Sequence, residues 1–326
     1  MAGELWRAVF QMGKETTAGT RVAATRKMYF SPDSRLAYER EARPHRFAIG
    51  SRENVRAITM GPSMVSGTLK QPLSAVEVIE LLLIGFKGAV TPTGAGTTKL
   101  WTFLPGTALD AATIEWDDGA RAWEAGGCHA NKLKFAGNAS GENTVEAEIF
   151  GMNMVTTTLT AALAERDLSF MEGWESKLWI DALGDTPGTT QVTGTLINWE
   201  VEIDNQLNRK YFASNSSDAA ALAIGEIGVK AKLTFEASNA AAATAFTDWN
   251  AVTEKLVRLD FGNNVVVDGS DKEFVRIDVP GAWEAIDLGG SDAGTRTYEL
   301  GLQYMYDTAN AFGAQILVQN ARATAW

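Results

Sequence analysis

The sequence is poor in the residues that most often carry chemistry. It has one cysteine, Cys128, and two histidines, His45 and His129. A single cysteine excludes an intramolecular disulfide and suits folding in a reducing cytoplasm. A Ser-His-Asp or Cys-His site would have to use one of the two histidines. Cys128 and His129 are neighbours, and neighbouring side chains on a strand point to opposite faces, so they would not meet easily. Metal signatures are missing too: there is no HExxH, no CxxC pair and no EF-hand loop, and Asp268-Gly-Ser-Asp271 reads as a turn before it reads as a weak calcium loop. No P-loop is present and no Gly-x-Gly-x-x-Gly follows a strand. The expectation is a protein with no catalytic residue, no metal and no cofactor. Long apolar runs are also lacking. The most apolar stretch, residues 76–86, is interrupted by Glu77 and Glu80 and is too short to span a bilayer. The first residues lack the apolar core of a signal peptide. A soluble protein made in the cytoplasm, with no membrane partner, is expected.

Net positive charge is absent as well. Among 326 residues, 29 are basic and 40 acidic, for a formal charge of −11. Affinity for nucleic acid comes mainly from Lys and Arg neutralising phosphates, so this chain should repel free DNA. What is present is apolar material, 45% of residues, enough for ordinary cores and for two domains in preference to one.

The basic residues Arg21, Arg26, Lys27, Arg35, Arg40, Arg43 and Arg46 concentrate in the first fifty positions, where few runs look like strands. Residues 1–49 read as an extended arm or long loop, or as a disordered tail. Strands are expected at 55–60 and 65–69. Ser74-Ala-Val-Glu77 has the form of a capping box, and Val76, Ile79, Leu83 and Phe86 make one apolar stripe of a helix that Gly85 or Gly88 would end. Further strands are expected at 99–103, 113–116 and 120–124, with a turn at Asp117-Asp118-Gly119. A long hairpin is expected from 131–135 and 144–150. In it Lys132 and Lys134 alternate with Leu133 and Phe135, and Glu146 and Glu148 with Val145, Ala147 and Ile149, so lysines would face glutamates across one surface.

The second half repeats the theme. In residues 195–204, Ile197, Trp199, Val201 and Ile203 alternate with Asn198, Glu200, Glu202 and Asp204. In residues 227–236, Val229, Ala231, Leu233 and Phe235 alternate with Lys230, Lys232 and Glu236. Period-two alternation of this length marks a sheet with one wet face. A helix over 240–256 would present Phe246, Trp249, Val252 and Leu256, capped by Ser238 or Asn239. Strands at 255–261 in part, 273–279, 297–306 and 314–319 follow. Both halves run strand, capped helix, meander and long hairpin. This order predicts a tandem duplication, although the same order also arises independently in α+β proteins. The predicted units are 1–49 (arm), 50–168 (first domain) and 169–326 (second domain).

Glu146/Glu148 and Glu200/Glu202 are spaced i, i+2 on single strand faces, unlike the opposed carboxylates of a glycosidase cleft. They read as a solvated face or as rows that line a negative channel. Trp6, Trp174, Trp179 and Trp326 lie outside clear elements, where large aromatics mark either subunit contacts or packing under loops.

The stretch GKETTAGTRVAA, residues 13–24, resembles the opening motif of the tail tube proteins (major tail proteins) of long-tailed, non-contractile bacteriophages. So does the later order: Gly67-Thr68-Leu69 with Pro72 and the Leu-rich helix, then WDDGARAWEAGGCHANKLKF at 116–135 with its Gly127-Cys128 step, then Glu148-Ile149-Phe150-Gly151. In the second half the likeness rests on strand order and on Asn-Trp-Glu-Val-Glu-Ile-Asp-Asn at 198–205. The resemblance implies a mainly β chain, a β-sandwich or small barrel with a flanking helix, duplicated in tandem. It implies rings of such domains stacked into the hollow tail of a virion, with DNA passing through the lumen without specific binding. The partners would be copies of the chain and other phage tail proteins. Two domains per chain would give a trimeric pseudo-hexamer; a second half that is one elaborated domain would give a true hexamer. The carboxylates expected along the lumen are Glu146, Glu148, Glu200, Glu202, Asp204 and Glu299. The arm residues expected to reach a neighbouring subunit are Arg21, Arg26, Lys27 and Arg35. Lys132, Lys134, Lys230 and Lys232 share the strand faces, and the net lumen charge is expected to stay negative. The competing readings are another β-rich virion component, such as a capsid decoration or baseplate-like protein, and a carbohydrate-binding or hydrolytic β-domain.

Overall fold

The computed structural model describes residues 7–237 and 239–326. In chain order the first half supplies β1 (Val9–Lys14), β2 (Arg26–Met28), β3 (Arg35–Arg46), β4 (Val55–Pro72), α1 (Val78–Gly85), β5 (Lys99–Phe103), β6 (Ala112–Asp117), β7 (Ala122–Asn138), β8 (Thr144–Gly151) and β9 (Asn153–Thr156). The second half supplies β10 (Lys177–Ala182), β11 (Gln191–Val192), β12 (Leu196–Asp204), β13 (Asn208–Lys210), β14 (Ala221–Ala223), β15 (Gly228–Glu236), α2 (Asn239–Asn250), β16 (Glu254–Asp268), β17 (Asp271–Asp292), β18 (Thr295–Tyr304) and β19 (Gln315–Asn320). The chain is mainly β, as the alternation requires.

Two long strands organise everything else. Residues 122–128 of β7 pair with β6 and β9, while residues 129–138 pair with β8 and β12. The change of partners falls at Gly127, whose φ is +63°, and a Cβ built there would lie 2.6 Å from the Met152 sulfur. Only glycine takes that backbone with that neighbour, so the sequence places the bend. β17 does the same job in the second half. Its first part pairs with β16 and β19, its last part with β18, and at Gly281 a Cβ would lie 2.2 Å from the Gln303 carbonyl oxygen.

The result is a continuous antiparallel run β3-β4-β8-β7-β12-β15-β18-β17. The halves join where β12 pairs with β7, Val201 opposite Phe135 and Ile203 opposite Leu133. The apolar rows read from the alternation form the core: Leu133, Phe135, Val145, Ala147, Ile149, Val201, Ile203, Val229 and Leu233 are all buried. Each large apolar side chain placed there stabilises the fold by about 1.5–3 kcal/mol.

Several expectations change. Residues 55–72 form one strand, not two, and β7 absorbs both the 120–124 and 131–135 segments. The amphipathic stripe of the first helix is absent, because α1 is buried all round, Glu80 included. The capping box does not form. Glu77 itself stands at the N-cap without a side-chain cap bond, and its carboxylate accepts from the Tyr29 amide at 3.1 Å. Ser74 accepts instead from the Val76 amide at 3.3 Å. α2 ends at Asn250, so Leu256 belongs to β16, and Val252 sits exposed with φ +52°. Ala245 and Trp249 provide the helix's inner contact, while Phe246 is exposed. Ser238, offered as a cap, and Trp6 lie outside the described residues.

Residues 7–49 are not an arm detached from the sheets. β1 lies between β2 and β6 with Phe10 and Met12 buried, and β3 is one side of a long hairpin with β4. β1 escaped detection because both of its faces are covered: Phe10, Gln11 and Met12 are all buried, so no alternation marks the strand.

Candidate assembly surface

One face of the continuous run is charged and open to solvent. Lys132 and Lys134 stand on β7, Glu146 and Glu148 on β8, Glu200, Glu202 and Asp204 on β12, Lys230 and Lys232 on β15, and Glu299 on β18. The expected register holds, with Lys132 opposite Glu148 and Lys134 opposite Glu146. The ion pairs nevertheless go the other way, across to β12. Lys134 meets Glu200 at 2.7 Å, and Lys132 meets Glu202 and Asp204 at 3.3 Å each. Lys232 meets Glu299 at 2.9 Å and Lys230 meets Glu284 at 3.4 Å. The hydrogen bonds to Asp204 and Glu299 hold the Lys132 and Lys232 ammonium groups above the ordinary lysine range. These pairs are partly exposed and each is worth at most about 1 kcal/mol. Their effect is on the field. Lys132, Lys134, Lys230 and Lys232 are each matched by a carboxylate, and Glu146, Glu148 and Asp287 add to the acidic side of the same surface. The structure therefore brings all six sequence-selected carboxylates onto one face and keeps acid in excess there.

The selected basic residues do not act together. Arg21 donates to Asn153 at 2.6 Å and lies 3.5 Å from Glu124. Lys27 pairs with Glu165. Arg26 is partly buried, and burial, with Arg322 and Arg166 nearby, lowers its affinity for the proton. Arg35 stands exposed at the start of β3. Beyond it the β3–β4 hairpin carries Arg40, Arg43 and Arg46 together with exposed Phe47, Ile49, Ile58 and Met60. This hairpin, not a loose tail, is the projecting basic element.

The GKETTAGT stretch has a structural purpose that its composition does not reveal. Glu15 is buried and accepts from the Gly19 amide at 2.7 Å, the Thr113 hydroxyl at 2.7 Å and the Gly127 amide at 2.9 Å. It ties the loop after β1 to β6 and to the bend of β7. Gly13 is needed because a Cβ there would lie 2.5 Å from the Ala23 carbonyl oxygen. The chain's other buried charges were not legible in the sequence. Glu77 at the N-cap of α1 and Glu80 within it meet Arg166 at 3.7 and 3.3 Å. Arg322 adds two bonds to Glu80. Burial pushes the Glu77 carboxyl up to about 7 against the pull of Arg166. The one available signal was a glutamate pair inside an apolar helix; its partners lie far away in sequence.

Burial pushes the Cys128 thiol up and the His129 imidazole down, and His129 Nδ1 lies 3.1 Å from the Gly127 carbonyl. A buried thiol held protonated is a poor nucleophile. Among the described residues, no group of three or more His, Cys, Asp or Glu is placed to hold a metal ion, and no helix is long and apolar enough to cross a membrane. Of the outlying tryptophans, Trp174 is exposed, while Trp326 packs on the core and donates to Asp110 at 3.2 Å.

A model of a family described as phage tail tube protein matches residues 6–296, and the chain belongs to that family. It is therefore a structural component of a phage tail, of a family that is not a class of enzymes. No curated protein matches. Among solved structures, the chain is similar to the SPP1 tail tube determined by solid-state NMR and cryo EM, at 9% identity and a TM-score of 0.33, covering 48% of this chain and 81% of that one.

Proposed function

We propose that copies of this chain assemble into rings that stack as the wall of a hollow tail tube, with the charged sheet face turned to the lumen. The observation that carries this reading is the single run of eight strands from β3 to β17, which ends in two edges with no strand partner among the described residues and carries an acid-dominated face from β8 to β17. Closing such a run on copies of itself removes the edges. An acid-dominated wall repels phosphate, so DNA slides through without sticking.

The strand pairings support a duplicated chain. β1, β3, β4, α1, β6, β7, β8 and β9 are matched in order by β10, β12, β15, α2, β16, β17, β18 and β19. The pairs β1–β6 and β10–β16 correspond, as do β4–β8 and β15–β18. A small feature repeats as well: Glu15 accepts from the amide of Gly19, and Asp181 on β10 accepts from the amide of Gly188 at 2.7 Å, both glycines having positive φ. Two equivalent halves favour three chains per ring, with the boundary in residues 157–176. The β3–β4 hairpin, basic and apolar at once, is the element that reaches a neighbouring ring. The chain is made in the host cytoplasm and joins other tail proteins in the virion. Electron microscopy of the purified protein tests this reading. Stacked rings with a central hole and three-fold symmetry are expected, and a protein that stays monomeric at high concentration overturns it.

A further inference from the structure

We propose that rings close by pairing the outer edge of β17, residues 283–292, with the outer edge of β3 in a second copy of the chain. This contact repeats between chains the junction that β7 and β12 make within one, and it rests on the ring-forming reading above.

The internal junction supplies the template. In the matched order of strands, β17 stands where β7 stands and β3 where β12 stands. β7 reaches β12 through the edge that β8 does not use. The same edge of β17 over residues 283–292, opposite β18, has no strand partner among the described residues. Likewise, among the described residues, β3 pairs with β4 alone. Two long edges without strand partners among the described residues invite association, and the two differ, so the contact is head-to-tail and generates a ring when its rotation closes.

The side chains on the two edges fit this use. At the internal junction the core-side residues Phe135 and Val201 are each 1% exposed. On β3, Tyr38 lies opposite buried Val65 and so belongs to the core-side row, yet it is 41% exposed. On β17, Ile286 lies opposite buried Leu300 and is only partly covered, and Leu288 is 50% exposed. Apolar residues in the row that is sealed inside the chain are left uncovered at its two ends. The charges also complement each other. The β3 edge carries Arg35 and Arg40 around a single Glu39, while β17 carries Glu284, Asp287 and Asp292. The Arg40 side chain donates to the Gly61 carbonyl at 3.0 Å, while the Glu284 carboxylate accepts from Lys230 at 3.4 Å and its backbone carbonyl from the Trp249 indole at 3.4 Å. Arg35 and Asp287 are both exposed.

Cysteine cross-linking tests the contact. With Cys128→Ala as background, Tyr38→Cys and Ile286→Cys are introduced together and the assembled protein is oxidised. These positions lie at opposite ends of the run, separated by six strands, so a disulfide forms only between copies. A ladder of covalent multimers ending at the ring size is expected on a denaturing gel, and none is expected from His45→Cys with Ile286→Cys. Asp287→Lys is expected to abolish rings, and adding Arg35→Glu to restore them. Rings seen by microscopy without cross-links at Tyr38/Ile286 or at the adjacent Leu36/Leu288 pair overturn this interface and leave the tube reading intact. An unaltered protein that forms no rings overturns both.

Discussion

Arg322 donates to both carboxylate oxygens of Glu80, at 2.9 and 2.8 Å, fastening the last described segment of the chain to the wholly buried helix α1. Glu80 has no exposure to water and shares its charge with Arg166 at 3.3 Å. Removing one partner of a buried pair costs about 3–5 kcal/mol, because the remaining charge cannot be solvated. Arg322→Ala is therefore expected to destabilise the chain by about 3 kcal/mol, the lower end because Arg166 remains. Arg322→Lys should recover only part of the loss, since an ammonium cannot hold both oxygens at once. Urea unfolding followed by tryptophan fluorescence reads both effects. Equal stability of Arg322→Ala and the unaltered protein would contradict the assignment.

Glu15 satisfies two backbone amides and one hydroxyl in the interior. Each buried donor left without an acceptor costs about 1–3 kcal/mol. Glu15→Ala should lower stability by about 3 kcal/mol or more, and hydrogen exchange at Gly19 and Gly127 should speed up ahead of the rest of the sheet. Uniform acceleration across the chain would show that Glu15 does not anchor this loop in particular.

Gly127 holds a positive φ against Met152 at the bend of β7. Gly127→Ala should destabilise by about 2–4 kcal/mol, from backbone strain together with overpacking. Met152→Ala, combined with it, should return the packing part and leave the strain. A double variant no better than Gly127→Ala alone would place the whole cost in the backbone.

Glu77 gives a pH dependence. Its carboxyl is raised to about 7 by burial, while an unfolded glutamate titrates near 4.5. The folded chain therefore holds a proton there that the unfolded chain has lost. The stability this contributes is fully present below pH 4.5 and disappears as pH rises through about 7. Glu77→Gln, which keeps an acceptor for the Tyr29 amide, should flatten the stability profile between pH 4.5 and 7. An unchanged slope in that window would assign the titration to another group.

With the charged face turned to the lumen as proposed, the tube's behaviour toward DNA can be predicted. Assembled unaltered protein should not retain duplex DNA even at low salt. Replacing Glu146, Glu148 and Glu200 by Lys should create retention that weakens steeply as salt rises, because each phosphate contact releases a counterion. Retention by the unaltered tube as strong as that of the triple variant would show that acid does not dominate the lumen.

Much of this protein is written locally. Alternation in residues 196–204 and 228–236, the turn at Asp117-Asp118-Gly119 and the lysine–glutamate register of β7 and β8 each follow from neighbours in sequence, because side-chain period and turn chemistry are short-range. The acidic balance and the six carboxylates of one face were legible for the same reason. What only the tertiary structure decided lies between distant residues. α1 loses its amphipathic logic because Arg166 and Arg322 arrive from far along the chain to neutralise its buried glutamates. β1 carries no alternation because both its faces are covered. Lys132 and Lys134 turn from β8 to β12 because the halves join at that edge, and the contacts joining them, Phe135 to Val201 and Leu133 to Ile203, are chosen by packing and by no local rule.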